Sequence, residues 1–343
     1  MPRKHRRRFP WADLPQRELL QVRICDLGVT IEGTWLEDCI ARVEAELQAR
    51  RLRLHPHFWL SDEWFSPDDV PGAGIPFYLA HPRLMRLEGS QMLEVEGATP
   101  EECMRLLRHE VGHAVQHAYQ LSRRRRWQQV FGPASRPYPK AYRPKPASRR
   151  YVQHLEGWYA QSHPVEDFAE TFAVWLRPHS AWRVRYRGWP ALHKVEYVNE
   201  LMREIATQTP PVHSRAHPFG LPSLRMTLGE HYEIKRAHYQ VGVPTMYDRD
   251  LRKLFFAPNG HNGAESAAGF LRRNRREIRE LVSKWTGDTQ LALDYVLKAM
   301  IRRCRELKLV ARGPERRLKL EFAILLSLRG TSYLYRGHDT RAM

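Results

Sequence analysis

Two histidines and a glutamate in the segment "HEVGH" have the types and the spacing of a metal site. His109 and His113 are four residues apart, and Glu110 follows the first histidine directly. On an α-helix, residues four apart lie on one face, so both imidazoles can bind a single metal ion. Glu110 can then reach a water molecule at that metal. The spacing therefore predicts a zinc site with an acid–base group beside it.

A zinc centre that does chemistry needs a third protein ligand and an open position for water. Glu166 and Glu170 are four apart in the later segment "VEDFAE", so one can bind the metal while the other supports a ligating imidazole. The residues alone do not say which of the two glutamates is the metal ligand, and Asp167 and His163 are further candidates for that role. His117 is interpreted as a packing or supporting residue, because the helix rotates it away by roughly 40° more.

The motif excludes one class of zinc peptidases and resembles another. A metzincin requires glycine at position 116 and histidine at position 119, where this chain has Gln116 and Tyr119. The pair "HEVGH" and "EDFAETF" instead resembles the gluzincin metallopeptidases, in which a glutamate from a later helix joins H-E-x-x-H. The aromatic and alanine residues between the acidic positions of "EDFAETFA" look most similar to those of a bacterial family of zinc-binding metallopeptidases and, more distantly, to those of the lethal-factor catalytic domain. This resemblance covers residues 15–205.

The resemblance implies a role for each matching residue. Glu166 would be the third zinc ligand, Glu170 would orient His109, and Glu110 would act on the water. In lethal-factor-like enzymes, a tyrosine seven residues before the ligand glutamate helps to stabilise the oxyanion, and Tyr159 occupies that position here.

These roles together predict a zinc metallopeptidase that hydrolyses peptide or protein substrates with Zn²⁺ as its cofactor. Trp158 and Tyr151 are alternatives to the tyrosine that the resemblance selects. The substrate is expected to lie extended along an edge strand near "GIPFYLA", where main-chain hydrogen bonds would add it to the sheet.

Start and stop signals place both motifs on helices. Thr99 and Glu102 have capping-box spacing, and Pro100 suits the first turn, so "HEVGH" falls in the middle of a helix. Helical spacing resumes after Pro164 and ends at Pro178, which places the two glutamates on a second helix.

The remaining chain yields less specific predictions. Thr34 and Glu37 predict the capped start of an amphipathic helix. Alternating or branched runs predict strands at 52–60, 74–80 and 92–96. The arginine- and proline-rich segment 122–150 is expected to be a loop, and three amphipathic helices are expected at 266–285, 289–309 and 314–335.

The predicted fold class is α+β, a zincin-like metallopeptidase domain with a C-terminal basic α-helical module. The predicted division is a basic N-terminal tail at 1–14, the metallopeptidase domain at 15–205, a linker or irregular segment at 206–263 and the helical module at 264–337.

The net charge of +18 favours acidic partners and leaves a second hypothesis open. The chain could be a basic nucleic-acid-associated protein, or a DNA-associated protease in which His154 or His163 replaces Glu166 as a zinc ligand. We expect any such contact to be weak and non-specific, because no nucleic-acid-binding motif is present. The scattered cysteines and the lack of a long apolar run predict a cytoplasmic protein without a membrane span.

Overall fold

The computed structural model describes residues 9–139, 141–142, 145, 148–239, 247–257, 265–336 and 341–342. The chain forms two compact units. The first unit consists of Met1–Gln91, Val95–Pro139 and Pro144–Ile234, and the second consists of Met92–Glu94, Lys140–Arg143 and Lys235–Met343. The start of the predicted N-terminal tail, residues 1–8, lies outside the described residues. The predicted domain division stays a prediction.

The first unit contains most of the helices and a small parallel sheet. Its helices and strands are α1 (Gln16–Leu19), α2 (Trp35–Ala49), β1 (His57–Ser61), β2 (Gly72–Pro76), α3 (Pro82–Met92), α4 (Pro100–Ala118), α5 (Arg125–Phe131), α6 (Pro164–Leu176), α7 (Trp182–Arg185), α8 (Ala191–Ile205) and the first part of α9 (Leu228–Tyr239), whose last residues belong to the second unit. Short 3₁₀ helices lie at Pro10–Asp13, Ile24–Asp26, Phe77–Ala80, Leu121–Arg123, Glu156–Gln161 and Leu221–Ser223.

The predicted helix starts form as the capping chemistry requires. The amide N–H of Glu102 donates to Thr99 Oγ1 at 3.2 Å, and Glu102 Oε2 accepts from the amide of Thr99 at 3.2 Å. Thr34 Oγ1 caps α2, while Glu37 Oε2 accepts from the amide of Gly33 at 2.7 Å. Both helices therefore begin where local hydrogen bonds satisfy amides that lack a partner within the helix.

Two strands are shorter than the sequence predicts. β1 starts at His57 instead of residue 52, and β2 ends at Pro76, after which Phe77–Ala80 form a 3₁₀ helix. Pro56 and Pro76 lack the amide hydrogen that pairing between strands needs. Pro56 directly precedes β1, and Pro76 is the last residue of β2. β1 and β2 pair in parallel, with Trp59 opposite Gly74.

The predicted strand at 92–96 is wrong. Met92 is the last residue of α3, and Leu93 has a φ of 71°, which belongs to the left-handed region that often ends a helix. The apolar alternation of "MLEVE" therefore reflects a helix end and the turn after it.

The prediction of a loop over 122–150 is wrong for part of that segment. Residues 125–131 form α5, and Trp127 and Phe131 are buried against Phe168 of α6. Aromatic residues four apart lie on one face of a helix, so their burial outweighs the basic composition around them.

The second unit has a helical core of its own, and its elements differ in detail from the prediction. The first predicted helix divides at Asn274 into α11 and α12. The elements of this unit are β3 (Ala141–Tyr142), α10 (Asp248–Leu254), α11 (Ala267–Arg273), α12 (Arg275–Thr286), α13 (Gln290–Glu306), α14 (Glu315–Arg336) and β4 (Arg341–Ala342).

The predicted apolar stripe of α13 forms the centre of this second core. Leu293, Val296, Met300 and Cys304 are buried, and Leu307 packs against them at the edge. The mixture of helices with a two-stranded parallel sheet agrees with the α+β class. Among the described residues, no helix has the length and apolar character needed to cross a membrane.

Candidate metal centre

Two buried helices, α4 and α6, present the predicted metal ligands to each other. Their close approach depends on Gly112, which lies between the two histidines of α4. A Cβ atom at Gly112 would be 2.9 Å from the Cα atom of Ala169 and 3.1 Å from its carbonyl oxygen. Because only hydrogen fits there, the glycine lets the backbones come together. The side chains of His109, His113 and Glu166 can therefore converge.

The three donor atoms form one compact group. Glu166 Oε2 lies 3.0 Å from His109 Nε2 and 3.1 Å from His113 Nε2, and the two nitrogens are 3.0 Å apart. All three residues are buried. Ligands at about 2.0–2.1 Å from a tetrahedral zinc ion would be roughly 3.3 Å apart, so the group needs only a small expansion to hold one. Two imidazole nitrogens and one carboxylate oxygen are also a donor set that zinc accepts.

Glu170 faces the other nitrogen of the same imidazole. Its Oε1 atom lies 3.0 Å from His109 Nδ1, and its Oε2 atom accepts from the amide of Leu155 at 2.9 Å. The carboxylate therefore holds the ring in the orientation that points Nε2 at Glu166. Glu170 itself is fully buried, so the backbone contact and the imidazole together compensate for its desolvation.

Strong electrostatic coupling accompanies this packing. Burial alone would raise the pKa of Glu166, but His113 and His109 outweigh it and hold that pKa well below its usual range. Burial lowers the pKa of His109, yet Glu166 and Glu170 together raise it well above its ordinary value. The two carboxylates therefore stabilise a positive charge at His109, and a metal ion that binds Nε2 would take the place of the proton there.

Glu110 is buried, interacts electrostatically with the three donor residues and has an unused hydrogen-bond acceptor. Among the described residues, its Oε2 atom has no hydrogen-bond partner. Burial raises the pKa of Glu110, while His109 and His113 partly offset that effect. An unpaired buried carboxylate is costly unless a water molecule or a ligand uses it.

Two tyrosines lie at this centre, and only one of them was predicted. The Tyr159 ring lies 5.5 Å from the His109 ring between centroids. Tyr138 was missed, although its hydroxyl donates to Glu166 Oε1 at 2.8 Å. Burial near Glu166 raises the pKa of Tyr138, so the phenol keeps its proton and acts as a donor. The alternative Tyr151 contacts Lys194, whose ammonium lies 4.2 Å from its ring centroid.

The other candidate ligands make contacts away from the three donors. Asp167 pairs with Lys194, and its burial raises its pKa to about 7 despite that partner. His117 Nε2 lies 3.6 Å from Asp68 Oδ1, and burial lowers the pKa of His117 to about 4. His154 Nε2 lies 2.9 Å from the carbonyl oxygen of Arg105. His163 caps the start of α6, where its Nδ1 atom accepts from the amide of Val165.

One protein family matches this part of the chain. Residues 103–198 match the model of a family described as "Putative zinc-binding metallo-peptidase". The match includes all of α6 and nearly all of α4, and thus both predicted motifs. No curated protein and no solved structure matches the chain.

The family match and the site geometry agree on the cofactor. The matched family is described as zinc-binding, and the buried group of His109, His113 and Glu166 can hold a metal ion. The predicted cofactor, zinc, is therefore confirmed. The predicted resemblance to a family of zinc-binding metallopeptidases is confirmed for residues 103–198, and the description of that family implies a peptide or protein substrate.

Proposed function

We propose that the chain is a zinc-dependent metallopeptidase of the gluzincin type with a zincin-like fold in its first unit. In this proposal His109, His113 and Glu166 bind zinc, and Glu110 is the acid–base group. The proposal depends on the buried convergence of the three donor atoms and on the buried Glu110 carboxylate, which interacts electrostatically with all three residues. The family match over residues 103–198 supports it independently.

When bound, zinc supplies Lewis-acid chemistry that polarises a peptide carbonyl and makes a nearby water molecule more acidic. Glu110 accepts a proton from the attacking water, because its buried Oε2 atom has no other partner among the described residues. The raised pKa of Glu110 makes its ionised form a stronger base. The same carboxyl group then gives the proton to the leaving amine. Tyr159, beside the His109 ring, is assigned as a donor to the developing oxyanion.

A peptide substrate would extend the small sheet at β2. At that strand, the amide of Gly74 donates to the carbonyl oxygen of Phe65 at 2.8 Å, and Ser66 Oγ donates to the carbonyl oxygen of Gly72 at 2.7 Å. β2 is buried and this edge is already paired within the chain, so a peptide could pair with Gly74 only by displacing the Phe65 contact.

The alternative, a basic nucleic-acid-associated protein, receives less support. Within the arginine run 123–126, Arg124 pairs with Glu204 and Arg126 pairs with Glu200, each at 2.6 Å. These partners neutralise part of the charge that a phosphate backbone would need. Weak nucleic-acid contact stays a prediction.

The decisive variant is Glu110→Gln. We expect it to retain about one zinc ion per chain and to lose roughly 10²–10⁴-fold in kcat on an unstructured protein substrate, because the amide cannot accept the proton. Glu101→Gln, an exposed change in the first turn of the same helix, is the matched control and should keep full activity. Retained turnover in zinc-loaded Glu110→Gln would refute the role of Glu110. A zinc-loaded wild-type chain that cleaves no peptide in an unbiased library would refute the proposed function.

A further inference from the structure

Tyr138 contacts the oxygen of Glu166 that the imidazoles leave unused. Glu166 Oε2 faces both histidine nitrogens, whereas Oε1 accepts the Tyr138 hydroxyl at 2.8 Å. The carboxylate is buried, so both of its oxygens need partners. The tyrosine thereby leaves only Oε2 directed at the metal position.

His163 holds Tyr138 in place. The two rings stack with centroids 3.9 Å apart and planes inclined by 17°. The Nε2 atom of His163 donates to the carbonyl oxygen of Arg136 at 2.7 Å, and its Nδ1 atom accepts from the amide of Val165 at 3.3 Å. One neutral tautomer satisfies both contacts, so the ring is fixed at both ends.

The backbone around Tyr138 also favours a fixed position. Pro137 and Pro139 flank it, and proline restricts both its own φ and the residue before it. The segment that carries the tyrosine is thus stiffened by sequence and tied to the start of α6 by His163.

We propose that Tyr138 is a positioning residue that orients Glu166 as a one-oxygen metal ligand, and that His163 acts through Tyr138. This inference rests on the zinc site of the proposed function and does not require that the chain cleave peptides. It extends the site to a segment of the chain that no motif spacing connects with the metal ligands.

The test measures zinc affinity by competition with a chromogenic chelator, without any peptide substrate. Tyr138→Phe keeps the ring and removes only the hydroxyl, and we expect zinc binding to weaken by roughly 10–100-fold, as for other groups that orient a ligand. Glu166 Oε1 then loses its donor, so the zinc-free protein should unfold at a slightly lower temperature but keep the circular-dichroism spectrum of the wild type. Tyr151→Phe is the matched control, since the Tyr151 ring faces Lys194, and it should bind zinc like the wild type.

A double-mutant cycle tests the role of His163. His163→Asn retains a residue that caps helices well but removes the stacking and the contact with Arg136. As a single variant, His163→Asn should weaken zinc binding. In the Tyr138→Phe background it should cause no further loss of zinc affinity. Wild-type zinc affinity in Tyr138→Phe, or fully additive losses in the double variant, would overturn the proposal. A zinc-free Tyr138→Phe protein that lacks the wild-type circular-dichroism spectrum would also overturn it, because the tyrosine would then be a general structural residue.

Discussion

Glu166 and Glu170 are one turn apart on α6, yet their replacement should affect zinc binding to different extents. Glu166 Oε2 faces the Nε2 atoms of His109 and His113, whereas Glu170 contacts only the Nδ1 atom of His109. Changing each glutamate to glutamine preserves the volume of the side chain. Glu166→Gln removes the charged metal ligand itself. Glu170 accepts from both His109 and the amide of Leu155, and Glu170→Gln leaves only one oxygen to accept these two hydrogen bonds.

The expected magnitudes follow from these contacts. A structural zinc site with four ligands is worth about 10–16 kcal/mol, or roughly 2.5–4 kcal/mol per ligand, so Glu166→Gln should weaken binding by about 10²–10³-fold. Glu170→Gln should weaken it by roughly 10–100-fold, because the imidazole remains a ligand but loses its fixed orientation. The two variants should therefore differ by about tenfold.

The assay is chelator competition at one fixed pH, because zinc ligands must lose protons before they bind. Both zinc-free variants are checked for an unchanged circular-dichroism spectrum, so that unfolding is not mistaken for loss of a ligand. Equal losses, or a larger loss in Glu170→Gln, would refute the assignment of the two carboxylates.

Three further predictions concern packing, metal removal and pH. Gly112→Ala should destabilise the protein by about 1–3 kcal/mol in urea unfolding, because the new methyl group meets Ala169, whereas the control Gly89→Ala should stay within about 1 kcal/mol. Zinc at about 100 times its dissociation constant should stabilise the fold by roughly 2.7 kcal/mol and raise the melting temperature by about 5–10 °C, and a chelator should reverse this; no shift would argue against a bound ion. Burial alone would raise the pKa of Asp294, but hydrogen bonds from Arg275 and other cations outweigh it and hold that pKa below its ordinary value. Asp294→Asn should therefore lower the free energy of unfolding above about pH 4, as hydrogen exchange in α13 should show, and this difference should shrink as the pH falls through the lowered pKa.

Local sequence determines several parts of this protein. The capping residues Thr99 and Glu102 start α4 through bonds to neighbouring amides, so the start of that helix could be predicted. The helical period then places His109 and His113 on one face without any knowledge of the rest of the chain. Interactions between residues three or four apart decide such features, and these residues are close in every conformation in which the helix exists.

Local patterns failed where distant contacts decided the structure. The basic segment after α4 has a loop-like composition, but Trp127 and Phe131 find a partner in Phe168, and this burial forms α5. The alternation in "MLEVE" suggested a strand, but the left-handed backbone of Leu93 ends a helix there.

Only the tertiary structure decides which side chains complete the candidate site. Two glutamates four apart share one helix face, and their spacing does not say which one meets Nε2 of His109 and which one meets Nδ1. The close approach of α4 and α6 at Gly112 fixes the position of α6 along the axis of α4. That position decides which glutamate faces which nitrogen of His109. Tyr138 reaches Glu166 across a sequence separation of 28 residues, through a turn that no period encodes. Such contacts depend on how distant segments pack together, so the sequence determines the chemistry on each helix and the packing determines where those groups meet.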